Sequence, residues 1–372
     1  MKKIQFLDLT AQKNKINKKL RFNINKVLDH SKFIMGPEVK ELEAILQLYT
    51  KAKSCITCAS GTDALILSLL ALKIGKGDKV VCPSFTFPAT AESILITGAT
   101  PIFIDVSRDT FNLCYKELEK VLEKNRKKIK ALIAVDLFGL PANYKKLRSL
   151  ASKFNFTIIS DAAQSFGASY NGKKVGKLTS ITCTSFFPAK PLGCFGDGGA
   201  VFTDNKKLSD KLISLRAHGK SNTKYKIVDV GLNSRLDTIQ AAVLIAKMDI
   251  FDWELKNRNI NADLYNEELQ GLYEVPLVPK GTSSAWAQYT IKTKSRKKLI
   301  NFLNEKKIPT MVYYPVSMHM QPAYNKYATD NRNFVRSINL ANSVLSIPVH
   351  AYLSNLQKEY IIDNLKKAYK LL

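Results

Sequence analysis

No stretch of the 372-residue chain reaches the roughly 18 consecutive apolar residues of a membrane-spanning helix. The N-terminal MKKIQFLDL meets Asp8 before any long apolar run, unlike a secretory leader. These absences leave a cytoplasmic protein as the expectation. Only four histidines are present, and they show no metal-ligand spacing. Among the six cysteines one Cys-x-x-Cys occurs, Cys55 with Cys58, but no second pair or His-x-x-x-His completes four ligands. That pair lies in an apolar run, where a free cysteine in a reducing compartment is a small hydrophobe. No metal is expected. The glycine run at 193–199 is no Walker loop, because no Gly-Lys-Ser/Thr follows it.

Negative charge is also scarce. Lys+Arg is 57 against Asp+Glu 31, a net charge of +26, and only ten of the 57 are arginine. A basic surface suits nucleic-acid phosphates. The lysines, however, are scattered through every segment, in pairs such as Lys18-Lys19 and Lys206-Lys207. Such scatter reads as a solvated surface that helps attract an anionic small substrate. Neither nucleic acid nor membrane is an expected partner. A basic nucleic-acid-binding regulator is the alternative from another class, and no helix-turn-helix segment supports it.

What is present is ordinary globular composition, 45% apolar and 24% charged. Short apolar runs alternate with amphipathic stretches from about residue 53 to 245. Strands are expected at Ser54–Ala59, Lys79–Pro83, Pro101–Asp105, Lys130–Leu137, Phe156–Ser160, Thr182–Phe187 and Gly199–Thr203. Helices are expected at Asp63–Lys73, Ala89–Thr97, Cys114–Glu123 and Asn143–Lys153. This pattern implies an α/β fold with a mostly parallel sheet covered on both faces, ligands gathering at the carboxyl ends of the strands. Residues 1–50 read as a helical arm, 51–245 as a large α/β domain and 246–372 as a smaller α+β domain. In the last, apolar Tyr289–Ile291 and Thr310–Tyr314 alternate with helical Arg296–Glu305 and Asn355–Leu371.

Three stretches carry chemistry. In Ala59-Ser60-Gly61-Thr62-Asp63 a buried strand ends in a small-residue turn that opens a helix. Free amides and the helix dipole there make either a phosphate site or an ordinary cap. In Thr157-Ile158-Ile159-Ser160-Asp161 the aspartate ends an apolar strand, either as a helix cap or as a carboxylate awaiting a cationic partner such as a pyridinium N–H. In Thr184–Gly193 Lys190 stands between buried phenylalanines and a glycine-rich turn. Desolvation there would lower its pKa and make the amine nucleophilic.

Phosphate cradle, ring-nitrogen aspartate and aldehyde-capturing lysine are the parts of a pyridoxal-phosphate (PLP) enzyme. The segments ASGTDAL, PSFTFPATAE, DAAQSFGA, TSFFPAKPLGCFGDGGA and VGLNSRLDTIQAA resemble, in order and spacing, the signatures of DegT/StrS-type sugar aminotransferases. The resemblance implies the aspartate-aminotransferase-like (type I PLP) fold and PLP covalently bound to Lys190, which also shuttles a proton. Asp161 would keep the pyridine nitrogen protonated, Gln164 would bond the ring's 3′-oxygen, and Phe87 would stack on the ring. Gly61, Thr62 and Ser185 would hold the phosphate, with Asn233 reaching it from the neighbouring subunit of a homodimer. A subgroup that dehydrates sugars carries histidine in place of the lysine, so Lys190 points to amino transfer.

The resemblance extends to the substrate. Ser185–Ala200 and Asn233–Ala242 are most similar to enzymes that aminate UDP-2-acetamido-2-deoxy-3-oxo-glucuronate for bacterial surface polysaccharides such as O-antigen, with glutamate as donor. Arg235 would pair with the sugar carboxylate or the diphosphate. This chain has Tyr313-Tyr314 where that subgroup has His-Tyr. Tyrosine offers a hydrogen bond without charge, which keeps a neutral 3-keto or 4-keto UDP or dTDP sugar in view.

Overall fold

The computed structural model describes residues 3–125, 128–221, 223, 225–328 and 334–371. Its strands are β1 (Ser54–Cys58), β2 (Lys79–Pro83), β3 (Thr100–Ile104), β4 (Ile129–Val135), β5 (Thr157–Asp161), β6 (Ser169–Tyr170), β7 (Lys173–Lys174), β8 (Ile181–Ser185), β9 (Gly199–Thr203), β10 (Thr282–Ser283), β11 (Tyr289–Lys292) and β12 (Val344–Ile347). Seven form the central sheet in the order β1-β9-β8-β5-β4-β2-β3. Pairing is parallel from β8 to β3 and antiparallel on both sides of β9. Strands β1, β2, β5, β8 and β9 are buried at nearly every position on both faces. That burial explains their continuous apolar runs.

Helices α1 (Leu9–His30) and α2 (Pro37–Thr50) form the N-terminal arm, and α3 (Gly61–Ala71), α4 (Ala89–Ile96), α5 (Tyr115–Asn125), α6 (Tyr144–Phe154) and α7 (Lys206–Leu215) cover the sheet. Asp8 starts α1 by accepting a hydrogen bond from the Ala11 amide at 2.8 Å. The arm turns Ile16, Leu20 and Val27 inward and leaves Leu28 at the surface. Helix α8 (Thr238–Leu269) runs unbroken through residue 245 and packs against both α1 and α2. Its C-terminal half joins β11, β12, α9 (Arg296–Glu305) and α11 (Asn355–Leu371) around a core that includes Tyr265, Tyr289, Leu299 and Ile361. Helix α10 (Val335–Ser343) leads into β12. Among the described residues no helix is long and apolar enough to cross a membrane.

Observed and expected elements agree in order, and their ends differ by one or two residues. One expectation is corrected. Thr310–Tyr314 is no strand; it touches the small sheet only through Met311 opposite Ser346. Pro309 and Pro315 bracket the run, and proline cannot donate to a ladder. β11 pairs instead with β12, in a run the sequence reading passed over. Cys55 and Cys58 are free and buried, and burial pushes both thiols up.

Phe166, 1% exposed, ties α8 to the sheet. Its ring stacks on Phe202 and on Phe251, each with centroids 5.7 Å apart. Phe166→Ala should therefore lower stability by about 3–5 kcal/mol, read as a fall in the urea unfolding midpoint with an unchanged slope. Phe187→Ala, at a half-exposed position, should lower it by far less.

Candidate active site

The carboxyl ends of β1, β5 and β8 meet in one place. Ser60 caps α3, its Oγ accepting the Asp63 amide at 3.0 Å and its carbonyl the Ala64 amide at 3.0 Å. The two preceding amides, of Gly61 and Thr62, have no partner in the helix and lie open at its positive end. A Cβ on Gly61 would sit 2.6 Å from Ser185 Cβ, and one on Gly199 would sit 2.4 Å from the Ser60 carbonyl oxygen. Glycine at both positions lets β1, β8 and β9 close around the amides. The helix cap thus also leaves open amides that suit an anion.

Asp161 is 9% exposed. Its Oδ1 accepts the Ala163 amide at 3.1 Å, and its Oδ2 a long 3.5 Å bond from Thr90 Oγ1. Burial raises its pKa; the Ala163 amide, Lys190 and Thr90 pull it back. Lys190 sits in a turn closed by its amide to the Phe187 carbonyl at 2.8 Å. It keeps partial solvent access, yet enough protein surrounds the ammonium that desolvation lowers its pKa, against the opposing field of Asp161. Helix α8 holds the rest of this loop. Gln240 Oε1 accepts the Phe195 amide at 2.9 Å, and Lys247 Nζ lies 4.6 Å over the Phe195 ring. Burial brings the Lys247 pKa down to about 8.

The third wall is aromatic. Phe85 is buried, whereas Phe87 is 52% exposed and offers a ring to a stacking partner. Tyr314 lies between the walls, with its ring 6.2 Å from Phe85 and 6.0 Å from Phe87. Its hydroxyl accepts a 3.0 Å bond from Gln164 Nε2. Gln164 Oε1 accepts the Phe138 amide at 2.5 Å, which leaves one Nε2 hydrogen free to bond an oxygen of a bound ring. Tyr313 packs its ring 6.3 Å from Phe6. Both tyrosine hydroxyls are pushed up by burial and stay neutral.

Asn233 and Arg235 flank Ser234, which reaches the end of β1. Ser234 accepts the Ala59 amide through its Oγ at 3.2 Å. Asn233 is exposed, and the Arg235 side chain has no hydrogen-bond or ion-pair partner among the described residues. The structure thus gathers Gly61, Thr62, Phe87, Asp161, Gln164, Ser185, Lys190, Tyr313 and Tyr314, and links Asn233 and Arg235 to them only through Ser234.

Two participants escaped the sequence reading. Thr90 reaches Asp161 from α4, one helical turn after Thr86, to which it is bonded at 3.1 Å. Asp136, at the end of β4 beside Asp161, is fully buried and accepts from Ala142, Tyr144 and Ser165 at 2.6–2.8 Å. Burial raises its pKa to about 7 against those three donors. The only available signal was its place one residue past an apolar strand.

The residues fit pyridoxal 5′-phosphate: open amides and Ser185 for a phosphate, a buried carboxylate for a ring N–H, an exposed ring for stacking and a desolvated amine for an aldehyde. Comparisons agree. A model of the DegT/DnrJ/EryC1/StrS aminotransferase family matches residues 14–366. The chain is 41% identical, over 94% of its length and 96% of the relative's, to the UDP-2-acetamido-2-deoxy-3-oxo-D-glucuronate aminotransferase of Pseudomonas aeruginosa. It superposes with TM-score 0.97 and 42% identity on a DegT/DnrJ/EryC1/StrS aminotransferase from Brucella abortus, covering 98% of this chain and 99% of that one. It also superposes, with TM-score 0.92 and 29% identity, on the Bacillus subtilis protein NtdA with bound cofactor PMP, covering 100% and 86%.

Two outcomes follow from the geometry. Gly61→Ala forces Ser185 away and costs a hydrogen bond to a charged group, about 1.5–3 kcal/mol. PLP retention measured by dialysis should weaken by roughly 10- to 100-fold. Asp161→Asn removes the negative field that favours the ammonium, so the Lys190 pKa should fall further. Titration of the 13C-methylated lysine in cofactor-free protein reads that shift; a rise would contradict it.

Proposed function

Because the chain belongs to the DegT/DnrJ/EryC1/StrS aminotransferase family, we propose that it moves the amino group of glutamate onto UDP-2-acetamido-2-deoxy-3-oxo-D-glucuronate. It is a PLP-dependent sugar aminotransferase. The observation that carries the reading is the desolvated Lys190 amine placed in the field of the buried Asp161, beside the Gly61–Ser185 cradle. Bound PLP supplies an electron sink that stabilises negative charge at the amino donor's α-carbon.

The chain's own residues do the rest. The Gly61 and Thr62 amides and Ser185 Oγ bind the phosphate, joined by Asn233 of a second copy. Asp161 holds a proton on the ring nitrogen by keeping its own carboxyl charged. Gln164 orients the ring through its free Nε2 hydrogen, and Phe87 covers one ring face. Lys190 Nζ holds the cofactor and, as a neutral amine, takes the proton from the donor's α-carbon and delivers it again in the opposite half-reaction. Glutamate leaves as 2-oxoglutarate, and the sugar's C=O becomes CH–NH2.

Arg235, with no partner of its own, is free to pair with the uronate carboxylate or the diphosphate. The neutral Tyr313 and Tyr314 hydroxyls favour a second reading, a neutral 3-keto or 4-keto nucleotide sugar. The lobe of residues 51–245 holds the cofactor, and the lobe of 246–372 contributes the two tyrosines. Homodimer formation is supported by the exposed Ile227, Val228 and Val230, 54, 52 and 92% accessible, which precede the exposed Asn233. The free thiols suit a reducing cytoplasm, and the polysaccharide role follows from the proposed sugar.

With purified enzyme, one 2-oxoglutarate should appear per aminated sugar, and Lys190→Ala should lower turnover by roughly 10²–10⁴-fold or more. Unimpaired turnover in that variant ends the assignment. Arg235→Ala should raise KM for the uronate while sparing a neutral 3-keto UDP sugar. Equal effects on both would place Arg235 on the diphosphate, and a higher kcat/KM of the unaltered enzyme for the neutral sugar would favour the second reading.

A further inference from the structure

A second cavity, of about 790 Å3, lies between the loop after β3 and the C-terminal lobe, and none of its lining residues belongs to the candidate active site. Four cations line it, Arg108, Lys292, Lys294 and Arg336, against a single carboxylate, Glu274. Four less one leaves +3. Glu274 is already engaged, accepting from Arg108 Nη2 at 2.8 Å and lying 2.6 Å from Lys292 Nζ. Those two cations, Arg108 first, hold its carboxyl below the ordinary range.

The other two cations are less committed. Arg336 Nη1 lies 3.0 Å from Cys114 Sγ and only 3.8 Å from Glu117. Lys294 is exposed and has no partner among the described residues. A neighbouring cavity of about 580 Å3 shares Arg108 and Arg336, adds Lys116, Lys146 and Lys280, and contributes only Asp109 in return. The arginines therefore sit where two positively charged recesses meet, a setting that concentrates phosphate rather than repelling it.

The same lining also carries aromatic surface. Tyr369 is 48% exposed and packs edge-on against Tyr273 with centroids 5.6 Å apart, leaving ring surface for stacking. Asn339 and Asn342 on α10 add amide donors and acceptors to the same lining. The volume falls within the roughly 300–1,000 Å3 of small-molecule sites. A ligand that matches this combination of cations, ring surface and amides is a flat heterocycle joined to adjacent phosphates. We propose that this cavity binds a nucleoside diphosphate, free or as a sugar ester, at a site separate from the catalytic one.

Calorimetric titration of the holoenzyme with UDP tests it. Two sites per chain are expected. Lys294→Glu with Arg336→Glu should weaken one of them at least tenfold and leave turnover at saturating substrate unchanged. Lys294→Ala, at an exposed position, should give a smaller loss in the same direction should the double variant fold poorly. Pyrophosphate should compete at this site, and Tyr369→Ala should weaken UDP there without weakening pyrophosphate. A parallel titration with UDP-N-acetylglucosamine distinguishes the free diphosphate from its sugar ester, and preference for either supports the site. A single UDP site per chain, or a second site indifferent to the charge reversals, overturns the proposal.

Discussion

A carboxylate left with 9% of its surface at the end of a buried strand must be neutralised, hydrogen-bonded or met by a positive charge. Asp161 receives one short bond, one long bond and the field of Lys190. That leaves the anion undersupplied, which is the condition the proposed role of holding a proton on another group requires. The neighbouring Asp136 shows the contrast. It receives three donors within 2.8 Å, and its backbone amide donates to the Asp161 carbonyl at 3.0 Å. Two adjacent strands therefore end in two buried acids, one saturated by its own chain and one left open. The sheet's parallel register fixes both, since Val135 lies opposite Asp161.

The site's other features follow from keeping this acid in the field of a single amine. The glycines at 61 and 199 allow β1, β8 and β9 to close around the start of α3. Gln240 and Lys247 on α8 steady the loop that carries Lys190. Tyr314 brings the C-terminal lobe onto Gln164. The net charge of +26 acts at longer range, drawing doubly charged diphosphates toward the surface before any specific contact forms.

Much of this was legible in the residues because strand ends are marked by abrupt changes of composition. Ile159-Ser160-Asp161 and Phe187-Pro188-Ala189-Lys190 each pass from an apolar run to a single charge, and a charge there has few other purposes. Thr90 was illegible for the opposite reason. A threonine inside Ala89–Ile96 looks like any helix residue until the fold brings it to Asp161. Tyr313 and Tyr314 were assigned to the site through the family resemblance, while their apolar run looked like a strand. Only the prolines on either side explain why the backbone leaves the small sheet. The run Val344–Ile347 carries no strand signal of its own, and its pairing with β11 depends on a partner more than fifty residues away.

The six cysteines carry one practical consequence. Five are buried, and burial pushes up the thiols of Cys55, Cys58, Cys82, Cys183 and Cys194, so they resist alkylation. Cys114 alone is partly accessible, and it touches Arg336 at the mouth of the cationic recess. A maleimide dye or spin label added to the unaltered protein would attach at that one position, giving an optical or magnetic reporter without any engineered change.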